Sequence, residues 1–242
     1  MSDALIIGNE SLTIQCAEAL LARGHSIAAL VTRNPDVRAW GQGKGLRVEA
    51  QDKGLEVRLS GLHVDWLLSI ANLNVIPQSV LALADQAVNF HDGPLPRYAG
   101  LNAPVWAILN GEVQHGITWH RMVAGVDEGA VLEQRLFEIA PNETALTLNT
   151  KCFEAAINSF PAVLAALEAN APGTPQDLAL RSEYRRADRP AAAARLDFTQ
   201  SAEQVAALVR ALDHGGYANP LALPKIDVAG RIVLVSKAEA LP

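Results

Sequence analysis

Asn89 and His91 stand two residues apart at the head of the stretch NFHDGPLPRYAGLNAPVW, which runs to Trp106. On an extended segment that spacing turns both side chains to one face. An amide donor beside an imidazole then meets the two needs of acyl transfer to an amine: a hydrogen bond to an oxygen gaining negative charge, and a group that moves a proton. A strand-end Asn also caps turns and a His also bonds backbone, so the pair by itself leaves a structural reading open beside the catalytic one. The three prolines and two glycines of the stretch mark a loop that ends one element and enters another.

The elements around that loop must aim it. ALIIG (Ala4 to Gly8) reads as a buried strand, SLTIQCAEALLAR (Ser11 to Arg23) as a helix with Ser11 as its cap and Gly24 as its stop, and SIAALVT (Ser26 to Thr32) as a second strand. A strand over Asp65 to Ile70, a loop over Ala71 to Pro77, a helix over Gln78 to Ala84 and a strand over Ala87 to Phe90 follow. After the loop come a helix over Ala103 to Leu109, strands over His115 to Met122 and Val131 to Ile139, and a long helix over Glu143 to Ala169 with Asn142 as its cap. Strands alternating with helices predict an α/β fold, a Rossmann-like open and mostly parallel sheet whose carboxyl edge carries the ligand loop. APGTPQD (Ala171 to Asp177) reads as a linker, which gives a catalytic domain over 1–170, a linker over 171–183 and a small C-terminal subdomain over 184–242. That last part holds a helix over Ala202 to Leu212 and a strand over Arg231 to Ser236, and its size requires it to pack on the first domain.

Composition removes several classes. The chain of 242 residues carries 20 Lys and Arg against 26 Asp and Glu, a net charge of -6 that disfavours a phosphate-binding surface and hence nucleic acid. No apolar run reaches the length of a membrane span and no basic leader opens the chain, so the expected location is cytoplasmic. Cys16 and Cys152 fall in helical patterns and read as buried thiols, and no ligand-spaced cluster predicts a metal site. Gly8 is followed by Asn9 and Glu10, which lacks the G-x-G-x-x-G spacing of a dinucleotide site. His120 and Trp119 read as core or rim of a strand, His115 and His214 as turn residues beside glycines, and the arginine-rich segment from Arg181 to Arg195 as a solvated face.

The longer stretch NFHDGPLPRYAGLNAPVWAILNGEVQHGITWHRMVAGVDEGAVLEQ, from Asn89 to Gln134, resembles the signature region of the 10-formyltetrahydrofolate-dependent formyltransferases. It has the Asn-x-His, the Leu-Pro-Arg loop, the Gly-x-x-Pro helix entry and the Asp of a G-x-D-x-G turn in family order. YRRADRP, LDF, SAEQVAALVRAL and GRIVLVS extend the resemblance towards the family's C-terminal subdomain. The resemblance implies that Asn89, His91 and Asp127 surround the formyl carbon, with Asp127 supplying the carboxylate that favours an imidazolium. It also implies 10-formyltetrahydrofolate as formyl donor, held largely by backbone of Leu73, Val75, Leu81, Gly125 and Val126; the walls Ile76, Val80 and Leu81 serve core packing equally well. Many members read His-x-Ser-Leu-Leu-Pro where this chain has His91-Asp92-Gly93-Pro94-Leu95-Pro96. With YANPLALPK near the end, a truncated C-terminal part and an acidic chain, that form looks most like the formylation domain that initiates a non-ribosomal peptide synthetase. The expected acceptor is then an aminoacyl thioester on a carrier protein, with adjacent synthetase domains as partners. The alternatives are a nucleotide-linked amino sugar as acceptor, and a catalytically silent domain that binds folate or a partner.

Overall fold

The computed structural model describes residues 1–241. The chain opens with β1 (Asp3–Gly8), α1 (Ser11–Ala22), β2 (Ser26–Thr32), α2 (Pro35–Gly43), β3 (Val48–Ala50), α3 (Leu55–Arg58) and β4 (Val64–Ile70). It continues through α4 (Gln78–Leu81), β5 (Ala84–His91), β6 (Ala99–Gly100), α5 (Ala103–Leu109), β7 (Gln114–Arg121), β8 (Val131–Glu138) and α6 (Ala145–Glu168). It ends with β9 (Glu183–Tyr184), α7 (Ala202–Ala211), β10 (Lys225–Val228) and β11 (Arg231–Leu234).

Seven strands form one sheet in the order β3-β2-β1-β4-β5-β7-β8. The first five are parallel to their neighbours, while β7 and β8 run antiparallel. This is the expected Rossmann-like, mostly parallel α/β sheet. Its central strands are buried on both faces, which is why they read as unbroken apolar runs. Ala4 and Ile6 of β1 join the core under α1 and α6, whereas Leu5 and Ile7 join the opposite one with Val31, Leu67 and Val80.

That alternation aims the site. Val88 and Phe90 of β5 and Trp119 of β7 point into the core under α6. Ring centroids lie 5.2 Å apart for Phe90 and Trp119 and 5.3 Å for Trp119 and Phe160, contacts that contribute roughly 0.5–1.5 kcal/mol each beyond their buried area. Asn89, His91, Thr118 and His120 therefore emerge on the other face. Cys16 and Cys152 are free and buried.

Several local expectations are corrected. Ser11 is the first residue of α1 and Glu10 occupies the cap without a side-chain bond. Thr144, not Asn142, caps α6, in a reciprocal pair with Thr147. His115 is a buried strand residue of β7 rather than a turn residue, because the antiparallel pairing with β8 starts one residue before it. The strand expected to reach Ser236 ends at Leu234 and is one arm of a hairpin with β10. No helix among the described residues is long and apolar enough to cross a membrane.

Candidate active site

β5 ends at the carboxyl edge of the parallel strands, the edge where open α/β sheets hold ligands. Asn89 pairs in register with His120 on β7, and His91 with Thr118, so the two strands set a row of polar side chains on one face. Asn89 Nδ2 lies 3.2 Å from His120 Nε2. His120 Nδ1–H donates to the Arg121 carbonyl at 2.9 Å, so in the neutral ring the Nε2 lone pair is turned towards Asn89. His91 Nε2–H donates to the Tyr98 carbonyl at 2.7 Å. Whatever His91 offers a substrate therefore comes from Nδ1.

Asp127 reaches this row from the β7–β8 turn. Its Oδ2 is 3.6 Å from His91 Nδ1 and its Oδ1 is 3.4 Å from His120 Nε2, so one carboxylate sits between two imidazoles. The backbone of Asp127 is left-handed, with φ of 57°, a conformation that Asp tolerates better than most residues. The Gly100 N–H donates to Oδ2 at 2.8 Å. Burial works against ionisation of this carboxyl, but positive charge on His91 and His120 when their rings are protonated, a hydrogen bond from protonated His120, and the Gly100 N–H outweigh it and hold the group well below the usual carboxylate range. Asp92, 3.8 Å from the same His91 nitrogen, is pushed up by desolvation, an effect tempered by the 29% of its side chain that stays in contact with water.

The loop after His91 is built around close approaches. A Cβ on Gly93 would come within 2.7 Å of His91 Nε2, and one on Gly100 within 2.1 Å of the Tyr184 carbonyl oxygen, where φ is also +93°. His115 lies beneath, donating from Nε2 to the Asp92 carbonyl at 2.8 Å. Burial lowers its pKa to about 4, so it is a neutral support for the loop at physiological pH.

The structure thus brings Asn89, His91 and Asp127 together and adds His120. The sequence gives no sign of His120's place, because its contact with Asn89 depends on strand register across 31 residues. Gly125 and Val126 precede Asp127 on the same turn, and Leu73 and Val75 stand exposed on the loop after β4. Leu81, on α4, packs against the core under β1 and β4 instead of standing free.

Residues 15–164 match the formyl transferase family. The chain belongs to that family, and its activity is formyl transfer. The fold is similar to that of a sugar N-formyltransferase from a Shewanella species, with 19% identity, a TM-score of 0.78 and 100% of each chain covered. It is likewise similar to a 4-N formyltransferase from Francisella tularensis, at 16% identity and a TM-score of 0.79, with 99% of each chain covered. A third is an N-formyltransferase from Helicobacter canadensis in complex with folinic acid and dTDP-3-aminofucose, at 19% identity and a TM-score of 0.75, covering 87% of this chain and 80% of that one.

These likenesses correct the expected acceptor. The Shewanella sugar N-formyltransferase matches this chain over its full length, so a short C-terminal part does not mark a synthetase domain, and none of these three structures points to a carrier-protein partner. Net charge and one loop variant exclude some acceptor surfaces but carry no information about which amine is bound.

Proposed function

We propose that this chain transfers a formyl group from 10-formyltetrahydrofolate to the amino group of a nucleotide-linked amino sugar. The observation that carries the reading is the Asp127 carboxylate set between His91 and His120, with Asn89 alongside, inside the stretch that matches the formyl transferase family. Likeness to sugar N-formyltransferases, one of them bound to folinic acid and an amino-sugar nucleotide, supports the donor and the acceptor class.

A folate donor fits the residues present. Leu73, Val75 and Val126 are apolar side chains with 70%, 86% and 52% exposure, standing on the segments that flank the end of β5 and suited to a flat heteroaromatic ring. When bound, the donor supplies a formyl carbon attached to a nitrogen that can leave. The unprotonated amine attacks that carbon, a C–N bond forms and the carbonyl electron pair moves to oxygen. Asn89 has one Nδ2 hydrogen on His120 and a second uncommitted among the described residues, and it donates this second one to the developing oxyanion. The amine's proton passes to Nδ1 of His91, since Nε2–H is held by Tyr98. The imidazolium so formed faces Asp127, which stays ionised. Returning that proton to the leaving nitrogen as its bond to the formyl carbon breaks leaves protons and charge balanced.

The test is an acceptor panel. Incubating the purified chain with 10-formyltetrahydrofolate and nucleotide-linked 3-amino and 4-amino sugars should give, by mass spectrometry, a formylated nucleotide sugar. If no member of the panel gains a formyl group while the protein binds the donor, the acceptor class is wrong.

A further inference from the structure

The turn carrying Asp127 is held from outside the catalytic strands. Past α6 the chain runs back across it: the backbones of Thr174 and Val131 exchange two hydrogen bonds of 2.8 Å. Two residues on, Gln176 Nε2 donates to the Asp127 carbonyl at 2.8 Å and to the Gly129 carbonyl at 2.6 Å. Arg181 Nη2 donates to the Val126 carbonyl at 3.0 Å. The same segment then takes hold of the other loop, where Ser182 Oγ accepts from the Tyr98 N–H at 2.8 Å and its carbonyl from the Ala99 N–H at 2.9 Å. One length of chain therefore grips both loops whose side-chain and backbone groups meet at His91.

Gln176 is the centre of that grip. Both groups it faces are carbonyl oxygens, so only its N–H donors can point at them, and the orientation of the amide follows. This leaves its Oε1 buried with no donor among the described residues. Buried acceptors are seldom left so, and one that persists calls for a compensating role. Here the two N–H bonds tie down Asp127 itself and Gly129 two residues on, and the left-handed backbone of Asp127 needs its surroundings to hold it.

We infer that Gln176 is a positioning residue for formyl transfer: by bridging the carbonyls of Asp127 and Gly129 it locks the turn that sets the Asp127 carboxylate between His91 and His120. This rests on the role given to Asp127 above. A carboxylate displaced by about 1 Å can cost on the order of 10²-fold in rate while leaving substrate binding intact.

Gln176→Met keeps length and removes both donors. Its kcat for formyl transfer should fall about tenfold or more, with KM for 10-formyltetrahydrofolate and for the amino-sugar nucleotide unchanged within about twofold. Gln176→Asn, one methylene too short to reach both carbonyls, should fall less, by about threefold. A second readout needs no turnover: the ring nitrogen NMR signals of His91 and His120 should move in Gln176→Met in the direction they move in Asp127→Asn. A folded Gln176→Met protein with wild-type kcat and wild-type ring signals overturns the inference. Should wild type transfer no formyl group to any acceptor, the ring signals decide alone: displaced signals sustain the positioning role while the functional reading falls, and unchanged signals end it. If the Met variant does not fold, the Asn variant carries the same two readouts.

Discussion

His115, which is buried, and Asp127, which is largely so, are ionisable groups near His91, and they are tuned in opposite senses. Asp127 gains partners and stays charged; His115 has an acceptor for Nε2–H, no partner for Nδ1, and stays neutral. The consequence for stability has a definite sign. The folded pKa of His115, pushed down to about 4 by burial, lies below the ordinary histidine value of 6.5, so the unfolded chain takes up that proton first as pH falls. Stability is lost between about pH 6.5 and pH 4, by a total on the order of 3 kcal/mol. Asp127 acts in a lower window: its depressed carboxyl gives stability present above its unfolded value and lost as pH falls below it. Urea unfolding at a series of pH values should show the upper slope in wild type and its reduction in His115→Phe, where the ring would pack beside Tyr98 and Phe137 without a proton to gain. Equal slopes in the two proteins would remove His115 from the account.

Elements differ in how much of them can be read in advance, and the reason is physical. β2 (Ser26–Thr32) and α5 (Ala103–Leu109) match expectation to the residue, because each has an apolar pattern closed by clear punctuation. The stretch from Arg33 to His63 holds α2, β3 and α3, none of which is anticipated: β3 is three half-buried residues and α3 is four residues long, too short for any period to show. Asn89, His91 and Asp127 are legible as a set only through their motif. Their partners are not, since His120 depends on cross-strand register and Gln176 lies in what reads as linker. The parallel pair of β6 and β9 is another long-range feature of this kind, and Gly100 within it makes a sharp test. An added methyl would meet the Tyr184 carbonyl oxygen and strain a residue at φ +93°, so Gly100→Ala should lose about 1–3 kcal/mol in urea unfolding and weaken the N–H bond to Asp127. A variant as stable as wild type would mean the pair is not what fixes this loop.

At the scale of the molecule, the C-terminal part shares a hydrophobic cluster with α5 and the start of α6. Trp106 of α5 stacks on Tyr184 with centroids 4.5 Å apart and planes 10° from parallel, and Tyr98, Ala211, Leu212 and Leu221 close around α5. The residue that presents its carbonyl to His91 is thus anchored by chain from beyond α6. Formyl transfer by this architecture should stand or fall with the polar row it supports. The most direct measurement is kcat at saturating 10-formyltetrahydrofolate and amino-sugar nucleotide for wild type, Asn89→Ala and Asp127→Asn, each first shown to be folded. Loss of the oxyanion donor should lower kcat by about 10²-fold or more, and Asp127→Asn should lower it while keeping shape. Near wild-type kcat in both variants would contradict the assignment of this row as the catalytic site.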